Sequence, residues 1–419
     1  MYALIDCNNF FVSCQRVLEP DLEGRPVVVI SGDDGCVISR SNEAKALGIK
    51  MGVPLFQVRA LTQRHDVAIR STDFTLYRDL SNQVMNTLTT FSPEVEVYSV
   101  DEAFLNLRGL ERLGIENYAA QMHELIKTKT GIPISVGLAK TKTLAKLASH
   151  VAKKSTFHAV SHVFTESSDI RQLATQIDVS DVWGIGRKYS DFLYGHGVQN
   201  VSQLMDLSEP WIKRHLKIVG WRTYKELHGF PCIPLQTQHK ARQSIQTART
   251  FGEMQTELKP LEEMVAAFAS RCAFELRMEE GCAAEVIVFL GTNRHREDLR
   301  QVARSFKIKF ETPTSSSIDI VTTARTALRE AFLQGYHYKR AGVILSGIVP
   351  EGSVQLSLFD DWEKRAKHQK LMDSVDKINA ENGRDTTYLA SQGTLKMGSF
   401  YNTFRPDDAV ENDELSTSF

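Results

Sequence analysis

The sequence predicts a multidomain α+β protein, and three observations carry that expectation. At roughly 150 residues per domain, a chain of 419 residues has room for about three domains. Short β-rich runs alternate with helical stretches up to about residue 170, without the strict βαβ order of a parallel sheet. From Ile177 the texture changes to short helices punctuated by glycine, and beyond residue 247 strands and helices return.

Each element has a local cause. Tyr2 to Ile5 is an apolar run suited to a buried strand and ends at Asp6; Asn8 or Asn9 can then cap a helix that Pro20 stops. Arg25 to Ile30 (RPVVVI) reads as a second strand, and SGDDG at 31–35 turns the chain into CVIS, a third. SNEAKALG is helical with a stop at Gly48, KMGVP breaks the chain, and helix returns from Phe74 to Thr90. Val95 to Ser99 and Ala103 to Leu107 form a hairpin whose turn, Val100-Asp101-Glu102, carries adjacent carboxylates. Residues 116–129 are helical and Ile134 to Leu138 is a strand. In TKTLAKLASHVAKK, Leu144, Leu147, Ala148 and Val151 share one helical face, and Lys142, Lys146 and Lys153 another.

The stretch DVWGIGRKYSDFLYGHGVQNVSQLMDL reads as a small helical domain, and FPCIPLQTQHKARQSIQ, basic and Pro-bearing, as a linker. Residues 247–348 form a second α+β module, with strands AAEVIVFL and AGVILSGI and helices LEEMVAAFASRCAFELRM and IDIVTTARTALREAFLQG. After Pro350 comes an isolated QLSLF, then polar and finally acidic sequence.

Composition narrows the function. Hydrophobic residues at 42% and charged residues at 24% are ordinary for a globular protein and exclude collagen-like, mucin-like and wholly disordered chains. The net charge of -1 excludes a blanket polycation, but the charge is segregated. Tracts 138–154, 212–249 and 294–309 hold five basic residues against no acids, eight against one and six against two. No apolar run approaches the roughly 18 residues of a membrane helix, so no membrane partner and a cytoplasmic, nucleoid-associated location are expected. The six cysteines include no C-x-x-C pair and are expected to be reduced and mostly buried.

Asp6 ends one strand while Asp101 and Glu102 sit at a turn between two others, so one sheet can bring three carboxylates together. Clustered acids repel unless a cation neutralises them, and hard oxygen ligands select Mg²⁺. Two such ions about 3.5–4 Å apart activate a hydroxyl and stabilise a leaving pyrophosphate. The plainer alternative makes Asp6 a helix cap and Asp101-Glu102 a solvated turn; spacing alone leaves both open. The lysine face beside the acids suits a triphosphate, its alternative being a solvated stripe. W-G-I-G at 183–186, opening a helix, suits backbone contact with a nucleic-acid phosphate, or else an ordinary helix-helix turn.

Taken in order, Asp6-Cys7-Asn8-Asn9-Phe10-Phe11, NEAKALG, YSVDEAF, GLAKTKTLAKLASHVAKK and DVWGIG resemble the motifs of the Y-family translesion DNA polymerases, most closely those of the bacterial UmuC type. The resemblance implies a right-hand polymerase. Its ferredoxin-like palm would be 1–23 and 73–168, small fingers 24–72, and a thumb with a helix-hairpin-helix 169–232. A linker at 233–239 would lead to an α+β little finger, 240–349, and a tail, 350–419. It implies metal ligation by Asp6, Asp101, Glu102 and the Cys7 carbonyl, with two Mg²⁺. Phe11 stands at the steric-gate position with Phe10 beside it, Cys36, Ile38 and Ser39 roof the nascent pair, and Lys45 and Lys153 face the triphosphate. Many relatives carry Tyr and Arg where this chain reads Asn42-Glu43-Ala44-Lys45, which leaves charge neutralisation but not a bidentate clamp.

Gly184, Gly186, Arg187, Lys240, Arg242 and Arg249 are the expected DNA contacts. Gln355, Leu356, Ser357, Leu358 and Phe359 resemble a sliding-clamp motif. The implied partners are primer-template DNA, dNTP, the clamp, a processed UmuD-like dimer and a RecA filament. Two alternatives stand beside error-prone translesion synthesis: a nucleotidyl cyclase with a similar palm, and a non-catalytic DNA-damage scaffold.

Overall fold

The computed structural model describes residues 1–32, 35–110, 114–154, 161–164, 167–237, 241–358, 360–383 and 385–393. Asp33 and Asp34 of the 31–35 turn and the acidic end of the tail, 394–419, lie outside the described residues. The chain divides into two units, Met1–Ile30 with Cys36–His239 and Ser31–Gly35 with Lys240–Phe419.

In the first unit the elements run β1 (Tyr2–Cys7), α1 (Phe10–Leu18), β2 (Val27–Ile30), β3 (Val37–Arg40), α2 (Asn42–Ala46), α3 (Leu55–Arg64), β4 (Ala68–Ser71), α4 (Phe74–Leu88), β5 (Val95–Val97), β6 (Glu102–Asn106), α5 (Ile115–Thr130), β7 (Ile134–Ala139), α6 (Lys142–Lys154) and β8 (Ser161–Phe164). The main sheet has the order β5-β6-β1-β7-β8, antiparallel except for the β7–β8 pair. Its central strand reads as an unbroken apolar run because both faces are covered. Ala3, Ile5 and Cys7 join a core with Val12 of α1, Tyr77 of α4 and Met122 of α5, while Leu4 joins Phe104 and the apolar face of α6 in another.

Side chains alternate along a strand, so Asp6 lies on the same face as Leu4, the face α6 covers. Register puts Glu102 opposite Asp6, Phe104 opposite Leu4 and Glu96 opposite Phe104, so all three acids, Asp6, Glu96 and Glu102, face α6. Gly137 of β7 pairs with Leu4 on that same face. A Cβ at Gly137 would stand 2.0 Å from the Ala145 carbonyl oxygen and 2.3 Å from the Ser149 amide. The missing side chain is what lets α6 lie directly on the sheet.

Three details differ from the sequence reading. Glu102 opens β6 instead of sitting in the turn, because its backbone pairs with Asp6. Asn9 stands at the N-cap of α1 in a left-handed conformation, φ 47°, without a side-chain cap bond; nor does Asp6 cap that helix. Finally, the lysines do not form one solvated stripe, as the site geometry below makes plain.

A smaller sheet, β3-β2-β4, pairs β2 antiparallel with β3 and parallel with β4. Ser41 caps α2, its hydroxyl accepting from the Ala44 amide at 3.2 Å. The helical segment follows as α7 (Ser167–Ala174), α8 (Arg187–Gly195), α9 (Val201–Met205) and α10 (Glu209–Leu227). Val182, Leu193, Leu204, Ile212 and Leu227 extend the core beneath α6 into this segment. Residues 231–237, expected to be linker, carry no regular element, yet the Cys232 and Ile233 amides donate to Glu226 and the Gln236 amide donates to Glu96.

The second unit holds β9 (Ser244–Gln255), α11 (Leu258–Met278), β10 (Gly281–Thr292), β11 (Ala303–Thr314), α12 (Ser317–Ala331), β12 (Tyr338–Pro350) and α13 (Trp362–Asn382). An antiparallel sheet of order β11-β10-β12-β9 carries α11 and α12 on one face, where Val286, Val288, Leu290, Val343 and Leu345 pack. Helix α13 lies where only polar sequence is legible, because its apolar positions form no stripe. It is held by Arg277, whose Nε donates to Asp376 at 2.7 Å, and by the buried Met372. Among the described residues no helix is long and apolar enough to cross a membrane. All six cysteines are free thiols.

Gly137→Ala should destabilise the first unit by about 2–3 kcal/mol, since the added methyl meets backbone that cannot step aside. Thermal unfolding measures this, and an unchanged melting temperature contradicts the close helix-sheet contact.

Candidate active site

Helix α6 meets the sheet through three ion pairs in a row. Lys142 Nζ donates to both Glu96 oxygens at 2.9 and 2.7 Å, with both side chains buried, and lies 4.5 Å from the Phe104 ring centroid. One turn on, Lys146 Nζ donates to Glu102 at 3.0 Å. At the open end Lys153 Nζ contacts Asp6 Oδ2. Lys142 is therefore a structural cation; its partner Glu96 lies one strand from the acids that the motif reading singled out. Lys146, seven residues before Lys153, joins the site and was visible in the sequence as part of the lysine face.

Asp6 is 8% exposed. Burial pushes its carboxyl up to about 7, the Glu102 charge pushes the same way, and Lys153 pulls it back. Burial also pushes the Cys7 thiol up, which keeps it protonated, while the Cys7 amide donates to the Asp101 carbonyl at 2.8 Å. The Asp101 carboxylate accepts from Ser99 Oγ at 2.6 Å. Asp6 and Glu102 are thus brought face to face, and Asp101 joins them through the backbone. Among the described residues no three His, Cys, Asp or Glu side chains stand close enough to hold a metal ion as placed. The donor chemistry nevertheless fits a hard divalent cation: paired carboxylates, one of them desolvated, already draw two ammonium groups as counter-charge.

Phe11 is half-buried and stacks on Tyr77 at 4.5 Å with an interplanar angle of 22°; Phe74 meets it edge-on at 6.2 Å. Phe10 packs 5.7 Å from Phe11 and is buried. Gln15 Nε2 donates to the Tyr77 hydroxyl at 2.9 Å, fixing the ring that supports Phe11. Tyr77 had no motif to mark it.

Lys45 Nζ donates to Asn9 Oδ1 at 2.5 Å and Asn42 Oδ1 at 3.1 Å. Its pKa is lowered by burial first and then by the charges of Arg40 and Lys153, with Asp6 opposing them, so Arg40, Lys45 and Lys153 stand close to one another. The left-handed Asn9 is what brings its side chain to Lys45. Ser39 is buried with Oγ 3.5 Å from the Asn9 carbonyl oxygen, Ile38 packs against the main core, and Cys36 is half-buried opposite Pro54.

Gly184 has φ +91°, and a Cβ there would stand 2.8 Å from Thr223 Oγ1. Gly186 is the N-cap of α8 with open space at its Cβ position, and Arg187 is exposed. Of the basic residues expected to hold DNA in the second unit, Lys240 lies outside the described residues. Arg242 pairs with Glu279, the C-cap of α11, at 2.8 Å. Arg249 alternates with Ile245 and Thr247 towards the helices, and donates to the Ala248 carbonyl. The open sheet face instead presents Lys307, Lys309 and Arg340, which register alone reveals. Leu358 is exposed. The Ser357 amide donates to Asp360, which accepts from Thr312 at 2.6 Å; Phe359 lies outside the described residues.

A family model described as "impB/mucB/samB family" matches residues 5–150, and one for its C-terminal domain matches residues 242–358. Protein UmuC of Salmonella typhimurium is 39% identical over 94% of this chain and 94% of its own. The chain belongs to the impB/mucB/samB family. It is a UmuC-type member of the Y-family polymerases and a DNA-directed DNA polymerase. Protein ImpB of Salmonella typhimurium is 37% identical over 94% of this chain and 93% of its own, and a DNA polymerase IV of Desulfatibacillum aliphaticivorans 27% identical over 92% and 95%. A chimera of the Y-family polymerases Dbh and Dpo4 shares the fold, with a TM-score of 0.66 at 21% identity over 83% of this chain and 99% of its own. The cyclase and scaffold alternatives find no support in these relatives.

Lys142→Ala leaves Glu96 buried without its partner and should cost about 3–5 kcal/mol of stability. Lys153→Ala, at the solvent edge, should cost less than about 1 kcal/mol. Chemical denaturation of both variants checks this; equal losses contradict the gradation along α6.

Proposed function

We propose that this chain extends a primer 3′-OH with dNTPs past template lesions, using Asp6, Asp101, Glu102 and the Cys7 carbonyl to hold two Mg²⁺. The observation that carries the reading is the pairing of Asp6 with Glu102 across β1 and β6, with Lys153 and Lys146 supplying counter-charge. When bound, divalent ions supply activation of the attacking hydroxyl and neutralisation of the leaving pyrophosphate. Asp6 and Glu102 orient that site, and Asp101 is set by Ser99. Lys153, Lys45 and Arg40 draw the triphosphate into line and offset its charge. No side chain need act as a covalent nucleophile.

Phe11, braced flat against Tyr77, is the floor that a ribose 2′-OH would strike, with Phe10 beneath it. Cys36, Ile38 and Ser39 line the roof. In this reading 1–23 and 73–168 are the palm, 24–72 the fingers, 169–232 the thumb, 240–349 the little finger and 350–419 the tail. Gly184, Gly186 and Arg187 meet backbone phosphate at the start of α8. In the second unit Lys307, Lys309 and Arg340, on the open sheet face, carry the sequence-independent grip that salt weakens, and Lys240, Arg242 and Arg249 add to its charge. The segment Gln355 to Phe359, in which Leu356 and Leu358 are exposed, offers apolar anchors to a sliding clamp, and a processed UmuD-like dimer and a RecA filament complete a DNA-damage response assembly at the nucleoid.

Primer extension on undamaged and lesion-bearing templates tests the reading. Asp101→Ala should lose template-directed addition by about 10³-fold or more, and normal extension by that variant refutes the assignment. Phe11→Ala should admit ribonucleotides; unchanged sugar discrimination removes Phe11 from the gate.

A further inference from the structure

We infer that Glu226 is a positioning residue for Lys153, acting through the first turn of α6. Glu226 stands on α10 and is wholly buried. Its Oε2 accepts from the Thr143 amide at 2.8 Å and from Thr143 Oγ1 at 2.9 Å. Its Oε1 accepts from the Cys232 and Ile233 amides, both at 2.9 Å. The Glu226 carbonyl accepts from Thr141 Oγ1 at 2.9 Å, and that hydroxyl accepts from the Leu144 amide at 3.2 Å. A helix start leaves N–H groups without partners and carries positive charge, and this carboxylate satisfies both demands from a different element.

The consequence lies further along α6. From Thr143 to Lys153 is ten residues, about 15 Å of helix, and the contact at Gly137 holds the helix hard against the sheet. Movement along the helix axis is the freedom left, and the Glu226 carboxylate opposes it together with the Lys142–Glu96 pair. The same corner is tied a second time, because the Gln236 amide donates to Glu96, the partner of Lys142, at 2.8 Å. Both carboxylates thus bind the 232–236 segment to the first turn of the helix whose later turns present the site cations. Glu226 itself contacts the helix start rather than the acids, so its effect on the reaction passes through Lys153. The inference rests on the reading of Lys153 as a triphosphate-facing cation.

Single-nucleotide insertion by wild type, Glu226→Gln, Lys153→Ala and the double variant tests it. In Glu226→Gln the amide nitrogen faces either the Cys232 and Ile233 N–H groups or the Thr143 N–H, so at least one donor loses its acceptor, and KM for dNTP should rise about tenfold with primer-template affinity unchanged. In the Lys153→Ala background the same substitution should cost less than about twofold, because the amine it positions is gone. A full tenfold effect in both backgrounds overturns the proposal, as does an unchanged KM with only a lowered Tm. If Glu226→Gln does not fold, Thr143→Val removes one donor at constant shape and carries the same cycle, with a KM rise that should disappear beside Lys153→Ala. If Lys153→Ala alone leaves KM unchanged, the triphosphate reading falls and the proposal with it; if it raises KM but the effects multiply, only the role of Glu226 falls.

Discussion

The close seating of helix α6 on the main sheet is the contact on which the site depends. Gly137 permits it, and three ion pairs line it: Lys142 with Glu96, Lys146 with Glu102 and Lys153 with Asp6. The pairs differ in surroundings more than in chemistry. The first is sealed under Phe104, where attraction and desolvation are both large and the pair serves to set helix register. The last stands at the solvent edge, where an amine can exchange one anionic partner for another. One helix therefore carries a structural cation at its start and cations for the site beyond it.

The aromatic side of the site is built the same way, from support below. Phe11 gains its orientation from Tyr77, and Tyr77 from Gln15, so a chain of contacts running through α1 and α4 fixes one exposed ring edge. Asn9, strained into the left-handed region, turns its amide towards Lys45 and Asn42 instead of capping α1. Local helix stability is given up there for placement of a side chain.

Much of this was legible in the sequence. The acids at a strand end and a hairpin, the apolar face of α6 and the Gly-punctuated helices all follow from periodicity and turn chemistry. What escaped depends on long-range register. Glu102 reads as a turn residue until β6 is paired with β1, and Lys142 reads as solvated until Glu96 is placed opposite Phe104. Strand alternation puts Arg249 on the face of Ile245 and Thr247, and Arg242 is found beside Glu279, the C-cap of α11, neither of which sequence spacing shows. Tyr77 and Glu226 lie in ordinary helical sequence, so only tertiary contacts reveal them. Helix α13 lacks an apolar stripe because few of its side chains are buried. The near-zero net charge likewise conceals an uneven distribution, since Lys142 is sealed against Glu96 while Lys307, Lys309 and Arg340 lie on the open sheet face of the second unit.

Lys153 supplies counter-charge at Asp6 in the protein alone, at the position where a divalent ion would otherwise be drawn. Binding of Mn²⁺ to wild type and to Lys153→Ala without nucleotide, followed by electron paramagnetic resonance, tests it directly. Lys153→Ala should bind Mn²⁺ more tightly, since removing the amine leaves a desolvated carboxylate pair short of positive charge. Equal or weaker binding by that variant would contradict it.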